Sequence, residues 1–304
     1  MKPYHVIVNP NAGFLRNKRL DPGEPARILG DSDLVTVTQD LDHLGALVRR
    51  LCASGVRTVA VLGGDGTVLR VCSEFASAGA GLPTVFPIGG GTSNALLTEL
   101  QLSARPVARL QRLAEVLSGA APTAMERNTL RVNGRMGFSF AVGYLRNASA
   151  FYESHPVDGI WPLVVTLKLL KGLILRHPAI LRFLDNVPAT IHYDDTPLPL
   201  DGFNFAYLST ITQNGLKLNM TPSASGAADQ FEALFATLTV GELLGAFSRM
   251  TLGGEMNAPR QERRLVRKVR IEPLAPIPWF MDGEHFEPAN PIAVELGPKL
   301  RLLG

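Results

Sequence analysis

The sequence predicts an α/β domain built on a parallel sheet, followed by a mostly antiparallel, β-sandwich-like domain. Three observations carry this. Strand-like and helix-like segments alternate over roughly the first 120 residues. Two glycine-rich clusters each sit where such a strand ends and a helix begins. From about residue 125 the helical periodicity gives way to short apolar runs separated by Asn, Gly, Pro and Asp.

The first strand is Tyr4–Val8 (YHVIV), ending in the turn Asn9-Pro10-Asn11-Ala12-Gly13, and Pro22, Gly23 and Pro25 make the following segment loop-like. Leu34–Thr38 is a second strand. Leu41–Ala53 is a helix, with Leu44, Leu47, Val48 and Leu51 at helical spacing. Arg57–Leu62 is a buried-type strand that runs into Gly63-Gly64-Asp65-Gly66-Thr67 and a helix through about Ser77. Pro83–Ile88 is another strand, followed by Gly89-Gly90-Gly91-Thr92-Ser93-Asn94 and a helix from Ala95. In the second half, Thr129–Val132, Phe138–Val142, Ala189–Tyr193, Asn204–Thr210, Glu232–Leu238 and Val266–Ile271 read as strands, and Leu163–Leu175 as a helix.

Right-handed crossovers leave the C-terminal ends of parallel strands side by side, so the two glycine loops are expected to face one crevice, joined by the Asn9–Gly13 turn. Glycines let backbone N–H groups converge on one centre, and a helix N-terminus adds partial positive charge, which suits phosphate. Thr67, Thr92 and Ser93 are suited to capping helices or contacting phosphate oxygens. Asp65, an acid among such amides, suits Mg²⁺ or a ribose hydroxyl better than bare phosphate. The chain contains neither GxxxxGK[ST] nor GxGxxG, which argues against a P-loop enzyme and a Rossmann dehydrogenase.

Asn9-Pro10 with Gly13, Gly63-Gly64-Asp65-Gly66-Thr67, Pro87 with Gly90-Gly91-Thr92-Ser93-Asn94, Phe138–Gly143 and a late Asp282-Gly283-Glu284 resemble the diacylglycerol kinase catalytic family of lipid kinases. GGDGT is shared with NAD kinases; the later motifs fit lipid kinases better. The resemblance implies an NAD-kinase-like N-terminal domain over residues 1–124 and a β-rich lipid-substrate domain over 125–287, with the active site between them. The segment 288–304 would return to the first domain through a strand around Ile292–Leu296. ATP would be the co-substrate, with Asn9, Gly63, Gly64, Asp65, Gly66, Thr67, Gly91, Thr92 and Asn94 lining its site. Glu284 would act as general base, with Asp282 and Asp65 organising Mg²⁺ and phosphate charge. The acceptor would be a lipid with a free hydroxyl, diacylglycerol- or sphingoid-like. The chain departs from the family pattern at Ala95, where many members have Asp, and after Gly143, where Tyr144, Leu145 and Arg146 replace an acidic residue. Both departures point away from diacylglycerol itself.

A composition of 46% hydrophobic and 19% charged residues excludes disorder as the main state. Cys52 and Cys72 are too few for a disulfide scaffold or a Cys-based zinc site and read as core residues in helices. The N-terminus lacks the apolar stretch of a signal peptide, and Ile160–Leu175 is too short and too basic to span a bilayer. The expected location is therefore cytoplasmic and peripheral to the membrane. The net charge of +3 is local: Arg260–Arg270 carries a net +5. That favours an anionic membrane contact over a nucleic acid partner. Arg16, Lys18 and Arg19 read as a surface loop. Leu163, Leu167, Leu170 and Ile174 share a helix face beside Lys168 and Lys171; the stripe reads as packed on its own domain. A homodimer is admitted as an assembly state. Two other functions fit some of these features: an NAD-kinase-like phosphotransferase, and a non-catalytic nucleotide- or lipid-binding regulator.

Overall fold

The computed structural model describes residues 4–17, 20–91, 94–155, 161–212 and 218–304, with no side-chain description for 161–163. The expectations on Lys18, Arg19, Thr92, Ser93 and the Leu163 side chain lie outside these residues. The chain divides into two compact units: residues through Arg127 with Lys299–Gly304, and the described residues from Asn128 to Pro298.

The first unit contains β1 (Tyr4–Val8), α1 (Gly13–Arg16), α2 (Glu24–Leu29), β2 (Val35–Val37), α3 (Leu41–Ala53), β3 (Thr58–Leu62), α4 (Asp65–Ser77), β4 (Thr84–Pro87), α5 (Ala95–Glu99), α6 (Pro106–Leu117) and β5 (Ala124–Arg127). The C-terminal strand β18 (Leu300–Leu303) completes a sheet of order β2-β1-β3-β4-β18-β5. All neighbours are parallel except β5, which runs antiparallel to β18 at the edge. The inner strands are buried nearly throughout, which is why they read as unbroken apolar runs. On one face Val6, Val8, Ala60, Leu62, Phe86 and Ile88 form a core with Leu110, Leu113 and Val116 of α6. Alternation along the strands turns Ile7, Val59 and Val61 to the other face. Asp40 caps α3 by accepting a hydrogen bond from the His43 amide.

Arg109 of α6 secures the returning strand. It is buried, its Nε donates to the Pro87 carbonyl (3.0 Å), and its Nη2 donates to the Leu303 carbonyl (3.1 Å). Its guanidinium lies 4.1 Å from the Phe86 ring centroid. Burial lowers its pKa to about 10, so it stays charged at neutral pH.

The second unit contains β6 (Leu130–Val132), β7 (Arg135–Gly137), β8 (Ser139–Gly143), α7 (Tyr144–Glu153), α8 (Trp161–Ile174), α9 (Pro178–Leu181), β9 (Ala189–Tyr193), β10 (Thr196–Pro197), β11 (Phe205–Ser209), β12 (Phe231–Ala236), α10 (Val240–Thr251), β13 (Gln261–Val266), β14 (Lys268–Pro273), β15 (Ile277–Met281), β16 (Glu284–Ala289) and β17 (Ile292–Leu296). They form two antiparallel sheets, β10-β9-β14-β17-β6-β7 and β13-β12-β11-β8-β15-β16. Side chains from both sheets meet in one core, among them Phe140, Phe203, Phe231, Phe235, Ile191, Val269 and Ile292. The second sheet is also covered on its outer face, where Ala141, Phe205, Tyr207 and Leu234 pack with Leu169, Leu173, Ile180, Leu243 and Met250. This double covering makes β11 and β12 buried at every position.

Four expectations need correction. The segment returning to the first unit is Lys299–Gly304, not 288–304, because Ile292–Leu296 pairs with β14 and β6 in the second unit. Val266–Ile271 is not one strand: the chain breaks at Arg267, where β13 and β14 join different sheets. In α8 the packed stripe is Val165, Leu169 and Leu173, while Leu167 and Ile174 are exposed. Cys72 is fully buried as expected, but Cys52 is only half-buried. Among the described residues no helix is long and apolar enough to cross a membrane.

Gly143 joins β8 to α7 at φ 71°, ψ −135°, a conformation essentially confined to glycine. A Cβ there would overlap the Asn204 carbonyl, to which Tyr144 N donates at 2.7 Å. Gly143→Ala is expected to cost about 1–3 kcal/mol and lower the Tm by several degrees. An unchanged thermal unfolding curve would contradict this account of the corner.

Candidate nucleotide and catalytic site

In the first unit the ends of β1, β3 and β4 bring three loops together. Asn9 N donates to the Leu62 carbonyl at 2.9 Å. The Asn9 side chain then bridges two loops: Nδ2 donates to Thr67 Oγ1 (2.9 Å) while Oδ1 accepts from Asn11 N (3.0 Å). Phe14 N donates to the Gly90 carbonyl at 2.9 Å. The two glycine loops approach backbone to backbone. A Cβ on Gly91 would lie 2.6 Å from Gly64 Cα, and one on Gly64 would lie 3.1 Å from Gly91 Cα. Glycine is required at position 91 for that approach, and a side chain at position 64 would press on the Gly91 backbone.

Asp65 ties these loops together. Its Oδ2 accepts from Ala95 N (2.8 Å) and its Oδ1 from Leu96 N (3.1 Å), at the start of α5. Burial raises its pKa, and the amide hydrogen bonds act in the opposite sense. The departure at Ala95 therefore leaves this link intact, because the backbone N–H makes it. Asn94 adopts a left-handed conformation (φ 48°) and wraps the second loop: Oδ1 accepts from Gly90 N (3.3 Å) and Gly91 N (3.1 Å), and Nδ2 donates to the Gly91 carbonyl (3.0 Å). Asn9, Gly63, Gly64, Asp65, Gly66, Thr67, Gly91 and Asn94 thus form one connected cluster. Helix α4 starts there with no side-chain cap, so its N-terminal end lies at the loop cluster.

In the second unit Asp282-Gly283 forms the turn of the β15–β16 hairpin, with φ 48° and 94°. Positive φ at both central residues is the signature of a type I′ turn, and Asp-Gly is among its preferred sequences. The Asp282 carboxylate holds this turn to the start of β8. Oδ2 accepts from Phe138 N (2.6 Å), and Oδ1 accepts from Ser139 N (2.9 Å) and Ser139 Oγ (2.8 Å). A 4.1 Å stack of Trp279 on Phe286 braces the two strands. Glu284 opens β16. It is exposed, and among the described residues its carboxylate has no hydrogen-bond or ion-pair partner. Asp282 is anchored while Glu284 stands exposed, a division that the motif alone did not reveal. Ser139 was not singled out from the sequence; its contact with Asp282 spans 143 positions.

Asp282→Ala strands the Phe138 and Ser139 donors. A stability loss on the order of 2–4 kcal/mol is expected in urea unfolding, against almost none for Glu284→Gln. Equal losses for the two variants would contradict the separate roles.

The basic cluster Arg260–Arg270 is divided between β13 and β14. Four of its side chains ion-pair with carboxylates: Arg263 with Glu232 and Glu255, Arg264 with Glu262, Lys268 with Asp195, and Arg270 with Glu272. Much of its local charge is thereby neutralised.

Residues 3–124 match the family model of the diacylglycerol kinase catalytic domain, so the resemblance read from the motifs holds over this segment. Among curated proteins no sequence relative matches the chain. Among solved structures the chain is similar to a provisionally described diacylglycerol kinase of Bacillus anthracis str. Sterne, at 16% identity and TM-score 0.72, covering 99% of this chain and 96% of that one. A second diacylglycerol kinase structure from the same organism gives 15% identity and TM-score 0.68, with 99% and 96% covered. Yeast NADH kinase complexed with NADH gives 11% identity and TM-score 0.50, with 99% and 83% covered. These likenesses establish the fold class: an NAD-kinase-like α/β domain with a parallel sheet, joined to antiparallel β-sheets.

Proposed function

We propose that this protein is an ATP-dependent lipid kinase that transfers the γ-phosphoryl group of Mg-ATP to a lipid hydroxyl. The observation that carries the reading is the cluster of loops at the ends of β1, β3 and β4, joined through Asp65, within a segment matching the diacylglycerol kinase catalytic domain. Backbone amides of the Gly63–Gly66 loop bind the phosphates, assisted by the α4 dipole. In the second loop Asn94 holds the Gly90 and Gly91 amides and Asp65 holds those of Ala95 and Leu96, which shapes the site around them. Asn9 and Thr67 line the same cluster, and Thr92 is assigned there from its motif position.

Magnesium suits the donors present. A carboxylate offers about four lone-pair sites, so Asp65 can serve its amides and still ligate one ion. The described residues hold no cluster of three or more metal-ligating side chains. That composition is compatible with an ion carried mainly by nucleotide phosphates and water. When bound, Mg²⁺ neutralises phosphate charge. Glu284 accepts the proton of the attacking hydroxyl, which has a high pKa and needs a base. Asp282 fixes the turn from which Glu284 projects.

The fold is shared with an NADH kinase, so a nicotinamide nucleotide is the competing acceptor. ATP consumption measured with a lipid panel and with NAD separates the two. Turnover with lipid alone is expected; turnover with NAD alone would replace this reading, and none with either would favour a binding protein.

A further inference from the structure

Helix α8 is apolar around most of its circumference, and among the described residues its buried side chains fall on one side. Val165, Leu169 and Leu173 are buried, the last two within the outer core of the second unit. Gly172 faces Ile180 so closely that a Cβ would lie 2.6 Å from Ile180 Cγ1, which fixes the helix's orientation on its neighbour. The opposite side carries Leu167 at 54%, Ile174 at 65% and, just beyond the helix, Leu175 at 66% exposure. Isolated exposed leucines are ordinary. Here three large side chains lie within nine positions of one helix and its end, with exposed Lys168, Lys171 and Arg176 among them.

The charge pattern identifies the occupant. From Trp161 to Leu184 there is no Asp or Glu, while Lys168, Lys171, Arg176 and Arg182 are basic. Among the described residues no carboxylate pairs with Lys171 or Arg176. Unlike the Arg260–Arg270 cluster, where ion pairs within the fold offset the charge, Lys171 and Arg176 keep their positive charge beside exposed aliphatic side chains among the described residues. That combination is the signature of a helix lying in a membrane interface, with aliphatic groups below the headgroups and cations among anionic lipids.

We propose that the exposed side of α8 docks the protein on anionic lipid bilayers through Leu167, Ile174, Leu175, Lys171 and Arg176. The idea takes its biological sense from the lipid-kinase reading, since that substrate resides in a bilayer, but its test requires no catalysis. Binding of the full chain to phosphatidylglycerol–phosphatidylcholine vesicles is measured by sedimentation. Leu167→Gln with Ile174→Gln is expected to weaken binding at least about tenfold while the protein stays folded, since both sites are exposed. Lys171→Gln with Arg176→Gln is expected to remove most of the preference for anionic over neutral vesicles and the sensitivity to salt. A control, Leu41→Gln with Leu274→Gln, changes two exposed leucines elsewhere and is expected to bind as wild type does.

Absence of vesicle binding by the wild-type chain would overturn the proposal. So would equal loss in the control, or a dimer that dissociates in the Leu167→Gln/Ile174→Gln variant without vesicle binding. If α8-dependent binding is found but no lipid is phosphorylated, the docking surface stands and the kinase reading falls.

Discussion

Glu284→Gln is expected to lower the rate of lipid phosphorylation by about 10²–10⁴ while leaving ATP affinity within a few-fold of wild type. The substitution keeps the shape of the side chain and removes its basicity. Structural side effects are expected to be small, because Glu284 is exposed and unpartnered among the described residues. Single-turnover phosphorylation is the appropriate measurement, since it isolates the chemical step from product release. A variant retaining more than about a tenth of the wild-type rate has lost under about 1.4 kcal/mol of barrier stabilisation, which excludes an essential base.

Gly64→Val is expected to weaken ATP binding severely. Even the first added carbon would sit 3.1 Å from Gly91 Cα, and the two methyl groups of valine extend further into the narrow gap between the loops. Overpacking of this kind costs about 1–3 kcal/mol, roughly a 5- to 150-fold loss if it falls on the binding-competent arrangement. Gly64→Ala is expected to fall between wild type and valine. Circular dichroism and urea midpoints establish whether the chain remains folded. A folded Gly64→Val protein with unchanged ATP affinity would remove the nucleotide from these loops.

Elements whose periodicity had one clear partner were the legible ones. Helix α3 has the limits that its periodicity predicts, because Leu44, Leu47, Val48 and Leu51 form one buried stripe. The glycine loops were legible because close backbone approach leaves a compositional mark. Helix α10 was missed although Thr239 and Glu242 form a capping box, a signal present in the sequence beside the apolar run of β12. The orientation of α8 was hidden because both its sides are apolar, so periodicity could not distinguish Leu169 from Leu167. Two short apolar strands near the C-terminus, Ile292–Leu296 and Leu300–Leu303, look alike in sequence; only sheet pairing shows which one returns to the first unit.

The site was legible in its residue types and less so in their duties. Asp65 pairs with backbone amides of Ala95 and Leu96, donors that every non-proline residue carries and that leave no mark in a sequence. Asp282 was expected beside metal or phosphate. Its carboxylate accepts hydrogen bonds from Phe138 N, Ser139 N and Ser139 Oγ, partners far away in the chain that the motif does not announce.

The most direct measurement incubates the wild-type chain with γ-labelled ATP, Mg²⁺ and a total lipid extract, with NAD in a parallel reaction and Glu284→Gln as a second enzyme. The expected result is label in one organic-phase lipid for wild type, almost none for Glu284→Gln, and none in the nicotinamide nucleotide. Label in the nicotinamide nucleotide and not in lipid, or lipid label undiminished by Glu284→Gln, would contradict the account.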